Sequence, residues 1–205
     1  MLFGVAMGLV ALDWIAVIGQ SKVLEYFCKP AAALAFFATT LILEPASDTA
    51  RLWVSAALLL CLIGDVFLML PRDAFLLGLA SFAVAQILFT AGFASLNPTP
   101  LRLLIAVVVV LPGAAILARR FLRALKTQGA FSMAPAIVVY VIVIAAMVVS
   151  SIAGGSAVGV AGAVLFLISD SLIAEQRFVS SRRWQPLTII ITYHLALAGL
   201  VLGLV

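Results

Sequence analysis

Eight apolar segments follow one another along the chain, separated only by short polar or Pro-containing connectors such as "EPASDTAR" and "NPTPLR". The 205 residues are 66% hydrophobic and 10% charged, whereas soluble domains are nearer half apolar and about one-quarter charged. Most segments approach the roughly 20 residues with which a helix crosses about 30 Å of hydrocarbon. The sequence therefore predicts an all-α, polytopic membrane protein in which eight transmembrane helices form one bundle.

The predicted spans share one integral membrane domain over residues 1–205, because no polar stretch is long enough for a soluble domain. They lie near residues 2–19, 30–43, 52–70, 74–94, 101–118, 134–151, 156–174 and 186–204. The second span is short and is expected to stand nearly upright or in locally thinner bilayer. The first does not read as a cleavable signal peptide, because it lacks a basic N-terminal region and Asp13 interrupts it.

The basic residues indicate the orientation of the bundle. Ten of the 12 lysines and arginines fall in odd-numbered connectors: Lys22, Lys29, Arg72, Arg119, Arg120, Arg123, Lys126, Arg177, Arg182 and Arg183. Only Arg51 and Arg102 fall on the other side. Because cytoplasmic connectors are rich in Lys and Arg, we predict that both termini are non-cytoplasmic. The net charge of +4 then reflects topology and anionic lipid headgroups, and no nucleic acid partner is expected.

Metal and cofactor motifs are absent from the sequence. Cys28 and Cys61 lie at or within predicted spans and have neither metal-ligand nor disulfide spacing. One histidine with carboxylates does not make a three-ligand zinc site. No Gly-rich phosphate loop, EF-hand or dinucleotide motif occurs. We therefore expect no metal and no cofactor.

Three aspartates, Asp13, Asp65 and Asp170, lie inside apolar segments. At 1.5 Å of rise per residue, Asp65 and Asp170 sit roughly 8–9 Å from the predicted cytoplasmic boundary. An Asp at the centre of a membrane helix costs about 2.5–3.5 kcal/mol, and such residues usually face the interior and mark a function. The alternative is that each carboxylate reaches the interface or a loop group. Matched depth allows the two to meet across the bundle, but it does not define their rotation about the helix axes.

Other polar and aromatic residues have two interpretations each. Phe82 and Gln86 share a face of the fourth segment with further aromatic residues, which either packs against helices and lipid or forms a wall for an acyl-like chain. His194, beside Tyr193, is either a satisfied core residue or a hydrogen-bond partner of a substrate or carboxylate. Lys29 stands at the predicted cytoplasmic lip, where it either anchors the topology or binds a lipid phosphate.

Several segments together resemble the YhhN family of membrane proteins, which includes lysoplasmalogenases. The stretches are "KPAAALAF", "GDVFLM", "FLLGLASFAVAQILF", "LFLISDSLIAEQRF" and "TYHLALAGLVLG", in that order. The resemblance covers most of the chain and implies an eight-helix enzyme. It would hydrolyse the vinyl ether bond of lysoplasmalogens to a fatty aldehyde and glycerophosphoethanolamine or glycerophosphocholine.

The resemblance also implies the site residues. The two motif aspartates of the family correspond to Asp65 and Asp170, expected to be catalytic, and its lysine to Lys29. Residues expected to bind substrate are Lys29, Gln86, Phe82, Tyr193, His194 and Ser169. Family members often carry His where this chain has Gln86. The implied partners are a lyso-ether phospholipid and membrane lipids, and the implied location is a cell membrane, such as the bacterial inner membrane.

The implied chemistry suits two carboxyl groups. Protonation of the alkene carbon remote from oxygen gives an oxocarbenium ion, to which water adds before the hemiacetal collapses. One carboxyl group supplies the proton, and an ionised one stabilises the cation and takes a proton from water. The residues alone do not assign which aspartate has which role.

Serine catalysis is not expected, because Ser169 and Ser171 have no visible base and no G-x-S-x-G elbow. Three other functions remain open from the residues. The buried aspartates are compatible with a proton-coupled transporter, although no repeat or matching pair of broken helices is visible. An intramembrane aspartyl protease also uses two aspartates, but the residues before Asp65 lack the first glycine of G-x-G-D. A scaffold that tunes lipid packing is the third.

Overall fold

The computed structural model describes residues 1–154 and 156–205, and every regular element within them is helical. The α-helices are α1 (Leu2–Ile18), α2 (Lys22–Ile42), α3 (Asp48–Met69), α4 (Phe75–Ala94), α5 (Pro100–Thr127), α6 (Ala134–Gly154), α7 (Ala157–Phe178) and α8 (Gln185–Leu202). A 3₁₀ turn, Phe131–Met133, leads into α6. The predicted all-α class is confirmed, and within the described residues six helices, α3 to α8, are long and apolar enough to cross a membrane. That all eight cross stays a prediction.

Side-chain caps explain where three of the helices begin. Ser47, Thr99 and Ser156 accept hydrogen bonds from the backbone N–H groups of Ala50, Arg102 and Gly159, respectively. Each oxygen satisfies one of the free N–H groups of a first helical turn. Pro100 at the start of α5 adds a residue whose backbone already suits a first turn. The polar connectors therefore define these helix starts.

The second and fifth helices differ most in length from their predicted spans. The second helix begins at Lys22, not at residue 30, and Pro30 lies inside it. The fifth continues to Thr127 rather than ending at 118. Both extensions are amphipathic and carry charged residues, including a Lys22–Glu25 ion pair of 2.8 Å on α2. Lys, Arg, Leu and Ala are good helix formers, so a helix continues after its sequence has become too polar for the hydrocarbon.

Among the described residues, successive helices pack on each other except for α4 and α5, because α4 packs on α6 instead; α8 also touches α1, α2 and α3. Glycines let the backbones of α7 and α8 approach each other closely. A Cβ placed at Gly162 would lie 2.6 Å from the backbone nitrogen of Leu200, and one at Gly203 would lie 2.6 Å from Cα of Gly159. Small residues at such crossings let backbones pack tightly in lipid. This contact fixes α7 and α8, which carry Asp170 and Tyr193.

Helix α5 lies at the periphery of the bundle. Its buried side chains are Ala106, Phe121 and Leu125, and most of its other apolar side chains are exposed. It packs mainly on α6 and touches α7 over a shorter stretch. Phe121 and Leu125 belong to a small second core with Phe178 at the end of α7. The C-terminal half of α5 therefore closes the bundle beside Asp170, while its first half faces outward.

Candidate active site

The first carboxylate, Asp65, is buried near the end of α3 and has partners on both oxygens. Nζ of Lys29 lies 3.0 Å from Oδ1, and the Tyr193 hydroxyl donates a 2.6 Å hydrogen bond to Oδ2. The Lys29 ammonium also lies 5.4 Å from the centroid of the Tyr193 ring. A buried charge is tolerated where it is paired and hydrogen-bonded. Asp65 is therefore arranged as an ionised carboxylate.

Lys29 does not precede the second helix, although the sequence predicted that this helix begins at residue 30. Because α2 begins at Lys22, Lys29 lies two turns inside the helix, and its side chain is only 13% exposed. Its ion pair with Asp65 occupies the ammonium group. The side chain therefore has a partner inside the bundle, and both its role as a topology anchor and its contact with substrate stay predictions.

The second carboxylate, Asp170, is buried on α7 and accepts a short hydrogen bond from the Tyr140 hydroxyl on α6. Within the described chain, no lysine or arginine lies within ion-pair distance of it. The side chain of Gln86 on α4 is fully buried and lies beside Tyr140 and Asp170. Neither of its amide atoms makes a hydrogen bond of ordinary geometry with the described residues. The two carboxylates thus have different environments, one with a cation and one without.

Three aromatic rings connect the surroundings of the two aspartates. Phe82, Phe166 and Tyr193 pack edge to face, with centroid separations of 5.7 to 6.1 Å. The ring of Phe82 also packs directly against Gly64. A Cβ added at Gly64 would lie only 2.8 Å from this ring. The glycine before Asp65 is therefore needed for α4 to approach α3 at this level. Lys29, Phe82, Gln86 and Tyr193 lie around the two carboxylates.

An apolar pocket lies beside Asp170. It encloses about 590 Å³ of space free of protein atoms, counting its open mouth, and is bordered by side chains from α3 to α7. Asp170, Tyr140 and Ser171 are the polar residues of its lining, and Phe82 and Ile144 are among the apolar ones. Asp65 is not part of this wall. An apolar ligand in this pocket would therefore contact a carboxyl group and a phenol hydroxyl.

The sequence did not predict that Tyr140 belongs to the site. The chain has only three tyrosines, and two of them bind the two carboxylates. A buried tyrosine hydroxyl usually needs a partner, so a single phenol within the run "APAIVVYVIVIAAM" is the signal that could have identified it. The run contains no charged residue that would indicate a functional site, and no sequence spacing links Tyr140 to Asp170.

Two expected site residues have other partners. Nδ1 of His194 accepts a 3.2 Å hydrogen bond from Nε1 of Trp14, and its Nε2 lies 3.9 Å from Oδ2 of Asp13. The Ser169 hydroxyl donates a 3.1 Å bond to the Ile189 carbonyl and so joins α7 to α8. Neither side chain bonds Asp65 or Asp170, and their contact with substrate stays a prediction.

Ion pairs border the site at the end of the bundle that carries the basic residues. Arg120 of α5 forms a bidentate salt bridge with Glu175 of α7. Its Nε and Nη2 donate hydrogen bonds of 2.9 and 2.7 Å to the two carboxylate oxygens. Arg177 binds Asp73 in the α3–α4 connector, and this hydrogen bond lowers the pKa of the Asp73 carboxyl. Among the residues that the structure describes, no group of three or more His, Cys, Asp or Glu side chains could hold a metal ion.

The YhhN family model matches residues 24–204. The chain belongs to the YhhN family. Human lysoplasmalogenase TMEM86B is 29% identical over 171 residues, which cover 82% of this chain and 69% of the human protein. No solved structure matches. The family match includes Lys29, both site aspartates and both site tyrosines, but Asp13 lies before its first residue.

Proposed function

We propose that this membrane protein is a lysoplasmalogenase-like hydrolase that cleaves the vinyl ether bond of a lyso-ether phospholipid. The observation that carries the proposal is Asp170, which is hydrogen-bonded by Tyr140 at the wall of an apolar pocket without a cationic partner. Membership of the YhhN family and the lysoplasmalogenase relative support the choice of reaction. The products would be a fatty aldehyde and glycerophosphoethanolamine or glycerophosphocholine.

In this proposal Asp170 is the acid. The alkenyl chain lies in the apolar pocket, and Asp170 gives its proton to the alkene carbon remote from oxygen. The double bond opens to an oxocarbenium ion beside the carboxylate that has just formed. Water adds to the cationic carbon, and one proton returns to a carboxylate. The hemiacetal then collapses, its hydroxyl proton is lost, and the alcohol oxygen is protonated.

Asp65 is the ionised partner in this scheme. Lys29 and Tyr193 would hold it as a carboxylate, and it does not line the pocket. Its negative charge would stabilise the cation that develops near Asp170 and favour return of the proton. Preorganised charge in a water-poor site is worth more than the same charge in water.

The test is product analysis with purified protein and a panel of lyso-lipids, scored for free aldehyde. Asp→Asn nearly preserves shape and removes acid–base function, which typically contributes about 10²–10⁴-fold in rate. We expect Asp170→Asn and Asp65→Asn each to lose activity of that order while inserting normally. The double variant should be little worse than either, because groups that act as one unit are not additive. Asp13→Asn, outside the two clusters, should lose much less.

Three results would contradict the scheme. Aldehyde release near the wild-type rate by Asp170→Asn would remove it as the acid. A proton-driven flux in liposomes without any aldehyde release would instead favour a transporter, and peptide cleavage blocked by an aspartyl transition-state analogue would favour a protease.

A further inference from the structure

A second groove adjoins the apolar pocket. It lies between the C-terminal half of α5, the end of α7 and the start of α8, and holds about 950 Å³ free of protein atoms, including space open to the outside. Leu117, Phe121, Leu167 and Ser171 border both the pocket and the groove. A molecule lying beside Asp170 can therefore extend into the groove along these four side chains.

The groove differs from the pocket in its charged wall. Arg182 lines it and is exposed, and its guanidinium forms no ion pair within the described part of the chain. The paired side chains of Arg120 and Glu175 form another part of the wall. Trp184 completes this end and is half exposed. One guanidinium is thus free to bind an anion, beside a carboxylate.

Gln185 adds a buried donor without a partner. Its side chain is fully buried and borders the groove. Oε1 accepts a 2.6 Å hydrogen bond from the backbone N–H of Arg182, which leaves Nε2 as the donor end. Nε2 has no hydrogen-bond partner among the described residues. Buried polar groups are nearly always hydrogen-bonded, so this amide is a donor suited to an acceptor on a ligand in the groove.

We propose that this groove is the headgroup subsite of the enzyme. The phosphate of the lyso-lipid would bind the guanidinium of Arg182 and Nε2 of Gln185, and the ammonium group would lie against Glu175 and the Trp184 ring. Guanidinium groups form strong, charge-assisted hydrogen bonds to phosphate, and tryptophan faces attract ammonium groups. The assignment rests on the proposed function, because it needs the reacting bond at Asp170.

The spacing along α7 agrees with this placement. Glu175 follows Asp170 by five residues, which is about 7.5 Å of helical rise. In a lysoplasmalogen only the glycerol bridge separates the vinyl ether from the phosphate. One molecule can therefore place its vinyl ether at Asp170 and its headgroup beside Glu175, with Ser171 between.

The first experiment compares two substrates with the same alkenyl chain, an alkenyl lysophospholipid and the 1-alkenylglycerol that lacks the phosphate. Arg182→Gln should raise KM for the phospholipid roughly tenfold or more, since a charged hydrogen bond is lost. It should leave KM for the alkenylglycerol unchanged. Arg183→Gln is the matched control, because Arg183 is exposed, adjacent in sequence and outside the groove wall. Equal KM changes for both substrates, or no change, would overturn the subsite.

A second variant tests the amide directly. Gln185→Glu keeps the oxygen that accepts from Arg182 and replaces the donor by an oxygen that repels phosphate. It should raise KM for the phospholipid more than for the alkenylglycerol. Glycerophosphoethanolamine and inorganic phosphate serve as competing inhibitors. Stronger competition by glycerophosphoethanolamine identifies a lipid headgroup site. Competition by phosphate alone, or by neither, overturns it.

Calorimetric binding of glycerophosphoethanolamine separates this proposal from the proposed function. If the wild-type protein releases no aldehyde from any substrate, the proposed function fails. Binding that Arg182→Gln abolishes and Arg183→Gln preserves would still support the groove as a headgroup site. No binding to the wild-type protein, or binding indifferent to Arg182, would overturn it.

Discussion

At the scale of single residues, the two buried carboxylates are distinguished by their partners. Each accepts a hydrogen bond from one tyrosine, but only Asp65 has a lysine. Since the Lys29–Asp65 pair is almost fully buried, each charge is stabilised by the other rather than by water. Lys29 therefore has a structural role as well as an electrostatic one.

Replacement of Lys29 by Met should destabilise the protein strongly. It leaves Asp65 buried with a charge and no cation, which typically costs about 3–5 kcal/mol. Combining Lys29→Met with Asp65→Asn should recover part of that loss, because the remaining amide carries no charge. Thermal unfolding in detergent measures both effects. Equal destabilisation by the single and double variants would mean that Lys29 stabilises the helix pair by packing alone.

The sequence predicted the aspartates because charges are rare in apolar segments, and it predicted their depth from helical rise. It did not predict their partners, because rotation about a helix axis depends on contacts with other helices. Tyr140 and Tyr193 illustrate the limit. Both are ordinary interfacial or core residues by type, and only the packing of α6 on α7 and of α8 on α3 places each hydroxyl on a carboxylate.

At the scale of helices, the pocket should set the length of the alkenyl chain. Ile144 lines it one turn from Tyr140, whereas Ile142 of the same helix is 62% exposed. Ile144→Phe fills apolar space, so the preferred substrate should become shorter. Ile142→Phe is the control and should leave the preference unchanged. Aldehyde release measured across a series of chain lengths tests this, and an unaltered series for Ile144→Phe would place the chain elsewhere.

The glycine contact between α7 and α8 should tolerate no side chain. At Gly199 an added Cβ would come within 2.7 Å of Cα of Gly162, whereas a Cβ at Gly113 of α5 would meet nothing within 4 Å. Overpacking of this kind typically costs about 1–3 kcal/mol. We expect Gly199→Ala to lower the unfolding temperature in detergent and Gly113→Ala to leave it equal or higher. Similar values for the two variants would show that α7 can move away from α8 without cost.

Helix lengths were the part of the fold that hydropathy predicted least well. The interiors of the spans were recognisable because they are uniformly apolar. The first turns of α2 and the last turns of α5 were not, because charged, amphipathic turns extend the helices past the apolar stretch. That difference places Lys29 two turns inside α2, where it meets Asp65.

At the scale of the whole molecule, the distribution of charge predicts the orientation. Lys29 is explained by its ion pair, so removing it from the ten residues of the basic side leaves nine, against Arg51 and Arg102. The asymmetry is retained, and both termini are expected on the non-cytoplasmic side.

Membrane-impermeant labelling tests this orientation. A cysteine that replaces Val205 should react from the non-cytoplasmic side, and one that replaces Thr127 from the cytoplasmic side. The native Cys28 and Cys61 are buried and should stay unlabelled. Labelling of both introduced cysteines from the same side would show that a helix is misassigned as a span.

The continuity of the apolar pocket with the charged groove has a consequence for what happens after bond cleavage. Under the proposed function, cleavage of a lyso-lipid would leave an apolar aldehyde in the pocket and a water-soluble alcohol in the groove. The aldehyde would leave past the sparsely packed α5 into the bilayer, and the headgroup alcohol would leave past Arg182 into water. Such a separation would keep the two products apart and disfavour their recombination, and neither fragment would need a carrier.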